Sequence, residues 1–466
     1  MKSIYKTSLV IVSAITLQSC IATKEYQQPK VWDDANFNTN KIVKDSSYQA
    51  IVSWKEVFTD PVLQNYIQTA LEENTDIRVA LENVKQSQAY LAQSKFGHIP
   101  TFNVGANYTH SVNSINTQFG RILGQRQRLD QFDITGSLGW EADIWGKINS
   151  RKLASEATYL QTLAAHQAVR TQLIAMVASN YYNLLALDEQ KKIAEQTIQT
   201  RTESLETNKA LKEAGRVTEV AVKQTEAQLL SAKSLLLDIE QNIKTQENAL
   251  SLLLNRFPEK IERSSFANQE VVFNGQDGVS INILNNRPDV IAAEMRFKNA
   301  FELTNVAKAS FYPTLRLTAS GGLQSVDFDK LFDPTSFFAS IVGGIAQPIL
   351  NGRQIRTQYE VSLSNQEIAF INYRQAVLQA SKDVSDALFA IDTYSQKLVL
   401  KKEEAKAYSQ AVEYSQELLN NGLASYLEVL TATESELNAQ LNVITTQFNL
   451  WNANIQLYKA MGGGVE

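Results

Sequence analysis

The residues Asn420-Asn421-Gly422-Leu423-Ala424-Ser425 separate two long helical stretches, and they decide the fold. Residues 353–419 before them contain neither proline nor glycine, a length far beyond the ~12 residues of an average globular helix. The Asn-Asn-Gly sequence supplies the positive φ that ends a helix, and Ser425-x-x-Glu428 has the form of a capping box that begins another. This stretch predicts a helical hairpin with one long arm and one short arm.

The short arm carries an apolar seam. Its members alternate between spacings of three and four residues, a heptad pattern that faces a neighbouring helix, and only Glu434 interrupts them. They are Leu427, Leu430, Leu437, Leu441, Ile444, Phe448, Trp451, Ile455 and Tyr458.

The hairpin occurs twice in the chain. Residues 214–220 match the residues from Asn421 onward, and Trp145-Gly146-Lys147 matches Asn351-Gly352-Arg353 at nearly the same offset. A repeat of roughly 210 residues is too long for a solenoid unit and indicates two copies of one large module. The first copy predicts a long helix over 146–214 and a short helix over 217–254.

The N-terminus has the pattern of a secretory signal. Lys2 and Lys6 precede a short apolar run over 9–17, and the run ends in Leu17-Gln18-Ser19-Cys20. This ending resembles a bacterial lipobox, and it predicts that the mature chain begins at Cys20 and carries lipid there. The alternative is an incidental cysteine in a discarded signal peptide. Cys20 is the only cysteine, so it forms no internal disulfide.

These signals predict the domain organisation. We expect a signal peptide (1–19), a lipid-anchored extended segment (20–60), a first repeat (61–255), a linker (256–284), a second repeat (285–460) and a tail (461–466). Each repeat is predicted to contain a helix, two strands, a long helix and a short helix. The helix of the first repeat is expected to run from Pro61 to Phe96, with Asp60 as its N-cap.

The segments between the helices alternate with a period of two residues. An apolar set alternates with a polar set, as in the wall of a transmembrane β-barrel, although the edge of a soluble sandwich is an alternative. The apolar positions are Phe102, Val104, Ala106, Tyr108, Phe132, Ile134, Leu138, Trp140, Ala142, Ile144, Leu315, Leu317, Ala319 and Leu323. Their polar neighbours in the second strand are Asp133, Thr135, Ser137, Glu141 and Asp143, and a weaker fourth strand is predicted over 337–345.

Four strands per chain are too few for a closed barrel. A sheet in lipid leaves no edge unpaired, and single-chain barrels begin at ~8 strands. Two chains would give a barrel filled by its own side chains, whereas three would give twelve strands and room for a lumen. The strand count therefore predicts a homotrimer if the protein forms a pore.

The sequence lacks the motifs that several classes of function require. A net charge of -5 provides no basic surface for nucleic acid. His98, His110 and His166 fall in unrelated elements without metal-ligand spacing, and no phosphate-binding loop, dinucleotide fingerprint or nucleophile elbow occurs. We therefore expect no enzyme, no metal and no cofactor.

Taken in order, the motifs resemble those of the TolC/OprM/NodT-type outer-membrane factors, in the lipoprotein branch that serves resistance-nodulation-division (RND) efflux pumps. The resemblance covers nearly the whole mature chain. The motifs are Tyr26-x-x-Pro29, Trp54, Asp60-Pro61-x-Leu63, Ala70-Leu71-x-x-Asn74, Pro100-Thr101-Phe102, Asp143-Ile144-Trp145-Gly146-Lys147, Asn286-Arg287-Pro288-Asp289-Val290, Tyr312-Pro313-Thr314 and Asn421-Gly422-Leu423-Ala424-Ser425.

The resemblance implies a mainly α-helical homotrimer with a shared 12-stranded membrane barrel and a long α-helical tunnel. It implies a lipid-anchored channel in the outer membrane of a Gram-negative bacterium, conducting drugs, toxic compounds or metal ions passively. The implied partners are outer-membrane lipid, a periplasmic adaptor (membrane fusion) protein and, through the adaptor, an inner-membrane RND pump. The adaptor is expected to dock at the turns of the hairpins, which contain Gly215, Arg216, Val217, Thr218, Gly422, Leu423, Ala424 and Ser425.

The turns also carry acids. In a trimer, Glu219 and Glu428 would place carboxylates around the narrow periplasmic end, where they would favour cations. The alternative is that both acids only stabilise the starts of their helices. The TolC branch has two aspartates at the positions of Glu428 and Thr431 and an arginine at that of Ala424, so its gating contacts do not carry over whole.

Two other functions remain open at this point. The same fold serves as the exit channel of type I protein secretion, although the lipobox and Tyr26-x-x-Pro29 favour efflux. A structural coiled-coil lipoprotein without a pore belongs to a different class, and the alternating strands argue against it.

Overall fold

The computed structural model describes residues 22–31, 53–269 and 286–463. Cys20, the predicted signal peptide, residues 32–52 of the predicted extended segment, residues 270–284 of the linker and residues 464–466 of the tail lie outside the described residues. The chain is mainly helical, with one four-stranded antiparallel sheet. The helices are α1 (Trp54–Val57), α2 (Pro61–Glu73), α3 (Thr75–Lys95), α4 (Gln118–Leu123), α5 (Lys147–Glu213), α6 (Glu219–Leu253), α7 (Pro288–Ala309), α8 (Gln354–Asn420) and α9 (Tyr426–Ala460). The strands are β1 (Thr101–Asn113), β2 (Gln127–Ala142), β3 (Thr314–Ser325) and β4 (Phe337–Ala346).

The duplication is visible in the helix lengths. The long helices α5 and α8 have 67 residues each, and the short helices α6 and α9 have 35 each. The predicted pairing of a long arm with a short arm is confirmed in both repeats. Among the described residues, no helix combines the length and the apolar character needed to cross a bilayer.

The helix predicted from Pro61 to Phe96 is two helices, and Asn74 separates them. Asp60 caps α2 as predicted, because its carboxylate accepts from the Val62 N–H (2.8 Å). At Asn74 the backbone is extended (ψ 135), and its side chain starts α3 by accepting from the Asp76 N–H (2.9 Å). The Asn74 amide also donates to the carbonyl of Leu253, the last residue of α6 (2.9 Å). The residue at the break therefore supplies a hydrogen bond to a carbonyl at the end of α6, which has no partner within its own helix.

The second repeat uses Arg287 at the corresponding place. This buried guanidinium donates to the carbonyl of Ala460, the last residue of α9 (3.1 Å). It also pairs with Asp289 (2.8 Å) and Asp383 (3.1 Å). Burial disfavours the charged form, but these hydrogen bonds outweigh burial and raise the pKa of Arg287.

The described residues form two compact units. One contains 22–29, 85–161 and 294–372, and it holds the whole sheet. The other contains 53–84, 162–269, 286–293 and 373–463, and it holds the two helical turns and the largest apolar core.

The core of the second unit brings α2, α5, α6 and α9 together. Its fully buried side chains include Leu63, Ile67, Tyr181, Leu184, Leu250 and Tyr458. Burying an aliphatic or aromatic side chain of this size stabilises the fold by about 1.5–3 kcal/mol. The predicted seam contributes Trp451, Ile455 and Tyr458 to this core, whereas Leu427 near the turn is exposed.

Two polar clusters fasten the linker to this core. Asp60 accepts from Tyr181 Oη (2.8 Å), Ser264 Oγ (3.1 Å) and Gln269 Nε2 (2.9 Å). Burial opposes ionisation of Asp60, but these donors outweigh it and lower its pKa. Arg263 forms a two-pronged pair with Asp188 and a further bond to Glu247 (2.7 Å).

The segment over 22–29 packs along α7 in the first unit. Asn305 holds the backbone of Lys24 from both sides, since its side chain accepts from the Lys24 N–H (3.0 Å) and donates to the Lys24 carbonyl (2.9 Å). The Tyr26 ring meets Phe297 and Phe301 edge-on, at centroid distances of 5.8 and 5.6 Å. The extended segment predicted over 20–60 also contains the short helix α1.

The sheet has the strand order β1-β2-β3-β4, and directly paired residues share a face. Leu138 lies between Phe102 and Ala319, and Ile134 lies between Ala106 and Leu323, so the predicted apolar positions form one continuous face. The weaker fourth strand is present as β4. Two assignments were wrong, because β2 ends at Ala142 and both Asp143 and Ile144 follow it. The Asp143 carboxylate accepts from the Ile148 and Asn149 N–H groups (2.8 Å each) at the start of α5.

Candidate functional site

The first helical turn follows α5 and has the geometry of a Schellman end. Gly215 takes a left-handed conformation (φ 72), and the Arg216 N–H donates back to the Leu211 carbonyl (2.8 Å). Thr218 is the N-cap of α6 but makes no capping bond with its side chain. The four predicted docking residues over 215–218 therefore form one compact turn between two antiparallel helices.

The second turn repeats this geometry after α8. Gly422 has φ 73, and the Leu423 N–H donates to the Leu418 carbonyl (2.9 Å). Ser425 is the N-cap of α9, and the predicted capping box is present. Because the backbone bonds turn its side chain outward, Leu423 is 76% exposed.

A chain of hydroxyl and amide groups connects the two hairpins close to their turns. Asn208 of α5 donates to the Thr225 hydroxyl of α6 (2.8 Å), and that hydroxyl contacts Tyr426 Oη at the start of α9 (2.6 Å). Asn208 and Thr225 are both buried. The two turns are thus held side by side within one chain.

An ion pair lies further along the same helices. Arg201 of α5 is buried (6% exposed), and it donates to the Glu434 carboxylate of α9 (2.7 Å) and to the Gln228 carbonyl of α6 (2.7 Å). Sequence reasoning noted that Glu434 interrupts the apolar seam but did not predict this partner. Glu434 interrupts the seam at the position where Arg201 of the other hairpin contacts α9.

The two predicted aperture acids have different surroundings. Lys212 of the preceding helix pairs with Glu219, and this hydrogen bond together with the positive charge lowers the pKa of Glu219. The Glu428 carboxylate accepts from the N–H (3.4 Å) and the hydroxyl (3.3 Å) of Ser425. Glu219 is therefore paired with a cation, whereas Glu428 forms no ion pair with any residue that the structure describes.

The apolar face of the sheet is exposed in the single chain. On the edge strand β4, Ile341 and Ile345 are 77% and 74% exposed, and Phe102 on β1 is 66% exposed. In the described chain, β1 and β4 each pair with a strand on one side only. The strands have 10 to 16 residues, which is long enough to cross a bilayer.

A model of the outer membrane efflux protein family matches residues 66–256 and 279–463. The chain belongs to this family. The solvent efflux pump outer membrane protein SrpC of Pseudomonas putida is 28% identical over 465 residues, with 98% of each chain covered. The probable outer membrane lipoprotein SilC of Salmonella typhimurium is 26% identical over 466 residues, with 99% of each covered. The open state of the MtrE outer membrane channel of Neisseria gonorrhoeae is 26% identical, with a TM-score of 0.84, and covers 96% of this chain.

Membership of the efflux family confirms several predictions. The chain is an outer-membrane component of an efflux system, and it shares the fold of outer-membrane channels. The family consists of channels rather than enzymes. The exposed apolar sheet and the paired hairpins thus belong to an outer-membrane efflux protein, as the resemblance implied.

The three histidines lie apart, as the sequence indicated. His98 is on the surface between α3 and β1, His110 contacts Asp130 across two strands (2.7 Å), and His166 lies on α5. Among residues 22–31, 53–269 and 286–463, no group of three or more His, Cys, Asp or Glu side chains could hold a metal ion.

Proposed function

We propose that three copies of this chain form an outer-membrane exit duct that passively conducts solutes delivered by a periplasmic adaptor and an inner-membrane RND pump. The observation that carries this proposal is the exposed apolar face on a sheet with two unpaired edges. Lipid covers such a face, and further strands must close the edges, because an open sheet edge in hydrocarbon leaves backbone groups without hydrogen bonds. Three chains give twelve strands, four from each.

The proposed chain begins at Cys20, which carries lipid, and has repeats over 61–255 and 285–460 joined by the linker over 256–284. The conducted solutes are drugs, toxic compounds or metal ions, and the duct performs no catalysis. The names of relatives support this range, since SrpC is named for solvent efflux, ArpC for antibiotic efflux and CusC for cation efflux. The pump, rather than the duct, selects among them.

We place adaptor docking at the two turns, residues 215–218 and 422–425. Both turns are compact, both lie at the junction of a long and a short helix, and Leu423 presents an exposed apolar side chain in the second turn. Burying this exposed leucine against a partner protein would remove apolar surface from water, which favours association.

The change Leu423→Glu tests docking and function together. Burying its carboxylate in a protein contact costs several kcal/mol, so adaptor affinity should fall by about a hundredfold or more. In the native host, the variant should lose resistance to a panel of solvents, drugs and metal salts. Purified into planar bilayers, it should still conduct like the wild type, since the turn takes no part in the sheet.

The matched control is Leu400→Glu, which puts the same charge on an exposed position of α8 away from the turn. It should leave resistance unchanged. Normal resistance with Leu423→Glu would exclude docking at this turn, and a wild-type protein that forms no pore would exclude the duct itself.

A further inference from the structure

A cavity of about 820 Å³ lies at one end of the sheet, within the first unit. Its charged strand residues, Glu141 and Arg316, belong to the polar face, and Trp140 and Leu317 of the apolar face also line it. Its walls come from the end of α3, the start of β1, the end of β2, the start of β3 and the first turns of α5. The volume falls in the range of ~300–1,000 Å³ that is usual for organic ligands. Thr101 and Lys147 belong to motifs of the sequence, but the motifs by themselves do not indicate a cavity.

Four residues lining this cavity are charged, and three of the four are basic. Glu141 of β2 stands opposite Arg316 of β3 in the strand register, and their side chains are 3.5 Å apart. Lys147, the first residue of α5, donates to the same carboxylate (2.9 Å). One acid therefore serves two cations, and the fourth residue, Arg151, forms no ion pair with any residue that the structure describes.

The surplus positive charge is available to a ligand. The Arg316 side chain is 65% exposed although it pairs with Glu141, and the Arg151 side chain is exposed on the next turn of α5 after Lys147. A concave wall concentrates the field of such charges. The planar fork of a guanidinium matches the oxygens of a carboxylate, sulfonate or phosphate group.

The same cavity offers apolar surface beside these charges. Tyr90 and Ile99 line it and are 66% and 55% exposed. Small hydroxyl side chains, Thr101 and Thr318, complete the polar floor on the strands. The surroundings suit a molecule with one anionic end and an aromatic or aliphatic body.

We propose that this cavity is a binding subsite for a soluble organic anion, held at its anionic group by Arg151 and Arg316. The strand residue that would hold the anionic group, Arg316, belongs to the polar face of the sheet, which faces away from lipid, so we take the ligand to be a solute. The proposal rests on the proposed function in that such an anion would be a solute on its way through the duct. Binding itself, however, does not require conduction.

The test uses the full mature protein in a neutral detergent at low salt, because salt screens exposed charges. The probe is naphthalene-1-sulfonate, and its neutral counterpart is 1-naphthol, which has the same ring system without the anionic group. Calorimetric titration should show the sulfonate binding at least about tenfold more tightly than the naphthol. The double change Arg151→Gln with Arg316→Gln should weaken sulfonate binding by about tenfold and leave naphthol binding unchanged.

Two further variants sharpen the result. Arg296→Gln removes the same charge from an exposed position of α7 that does not line the cavity, and it should bind the sulfonate like the wild type. Arg151→Lys with Arg316→Lys keeps the charge and should retain a measurable part of the preference for the sulfonate. Because both arginine side chains are exposed, all variants should fold.

Equal affinity of the wild type and the double glutamine variant for the sulfonate would overturn the subsite. Equal affinity of the wild type for the sulfonate and the naphthol would do so as well. A wild type that conducts but does not bind the probe contradicts only the subsite. A wild type that binds the probe but does not conduct contradicts only the duct.

Discussion

Glu428 and Glu434 lie on the same helix, α9, but have different hydrogen-bond partners and therefore different expected roles. Glu428 accepts hydrogen bonds only from Ser425 within its own turn among the bonds seen here, whereas Glu434 accepts from the buried Arg201 of another helix. The same substitution to glutamine should therefore have opposite effects at the two positions.

Glu428→Gln should shift the selectivity of the proposed duct away from cations, because a trimer would lose one carboxylate per chain at the second turn. The stability of the turn should remain, since glutamine still accepts the Ser425 hydrogen bonds. Glu434→Gln should keep the cation preference but remove the charge that balances Arg201, at a cost of about 1 kcal/mol. Reversal potentials in a low-salt gradient measure the first effect, and hydrogen exchange of the amides around residue 201 measures the second. Unchanged selectivity in Glu428→Gln would leave this acid as a helix cap alone.

The sequence could locate Glu434 but not explain it. A single acid within a heptad seam is visible from spacing, yet its partner lies 233 positions away on the other hairpin. Local patterns predicted Glu428, Gly422 and Asp60 correctly, because caps and turns are determined within a few residues. Contacts between the hairpins depend on how whole helices pack, which no short window contains.

At the scale of the elements, β2 provides a sharp test of the two faces of the sheet. Ile134 and Thr135 are neighbours near its middle, and they lie on the apolar and polar faces respectively. Ile134→Arg would place a charge toward the hydrocarbon and should cost about 2–4 kcal/mol per chain at the bilayer midplane. Thr135→Arg adds the same side chain to the polar face and should insert normally. Urea titration of folding into lipid vesicles measures both, and equal damage from the two changes would mean that the faces are misassigned.

The predicted boundaries of helices and strands were wrong where a contact with another element sets the boundary. The strands were predictable because alternation is a local property. β1 extends beyond the predicted positions at both ends, whereas β2 begins earlier than predicted and ends at Ala142, before Asp143 and Ile144. Asp143 continued the alternation in sequence but caps α5 instead, since unpaired N–H groups at a helix start compete for a nearby carboxylate. The break at Asn74 likewise depends on the end of α6, which no local pattern around 61–96 reveals.

For the whole molecule, the number of chains and the lipid at Cys20 can be determined in one measurement. Two unpaired strand edges on one chain require partner chains in the membrane, and three chains give a barrel wide enough for a lumen. Native mass spectrometry of the protein extracted from membranes should show three copies, each lacking residues 1–19 and each carrying the added mass of lipid. Because Cys20 is the only cysteine, Cys20→Ala should lose all of the added mass.

The trimer should survive that change, because the barrel makes its own contact with the membrane and the lipid contributes only anchoring. Cys20→Ala should therefore still conduct in planar bilayers if it is delivered to the membrane with a cleavable signal peptide of the ordinary secretory type. An unmodified Cys20 in the wild type would contradict the lipid assignment but not the proposed pore. A single chain that conducts by itself would contradict the trimer, since four strands cannot close around a lumen without edges exposed to lipid.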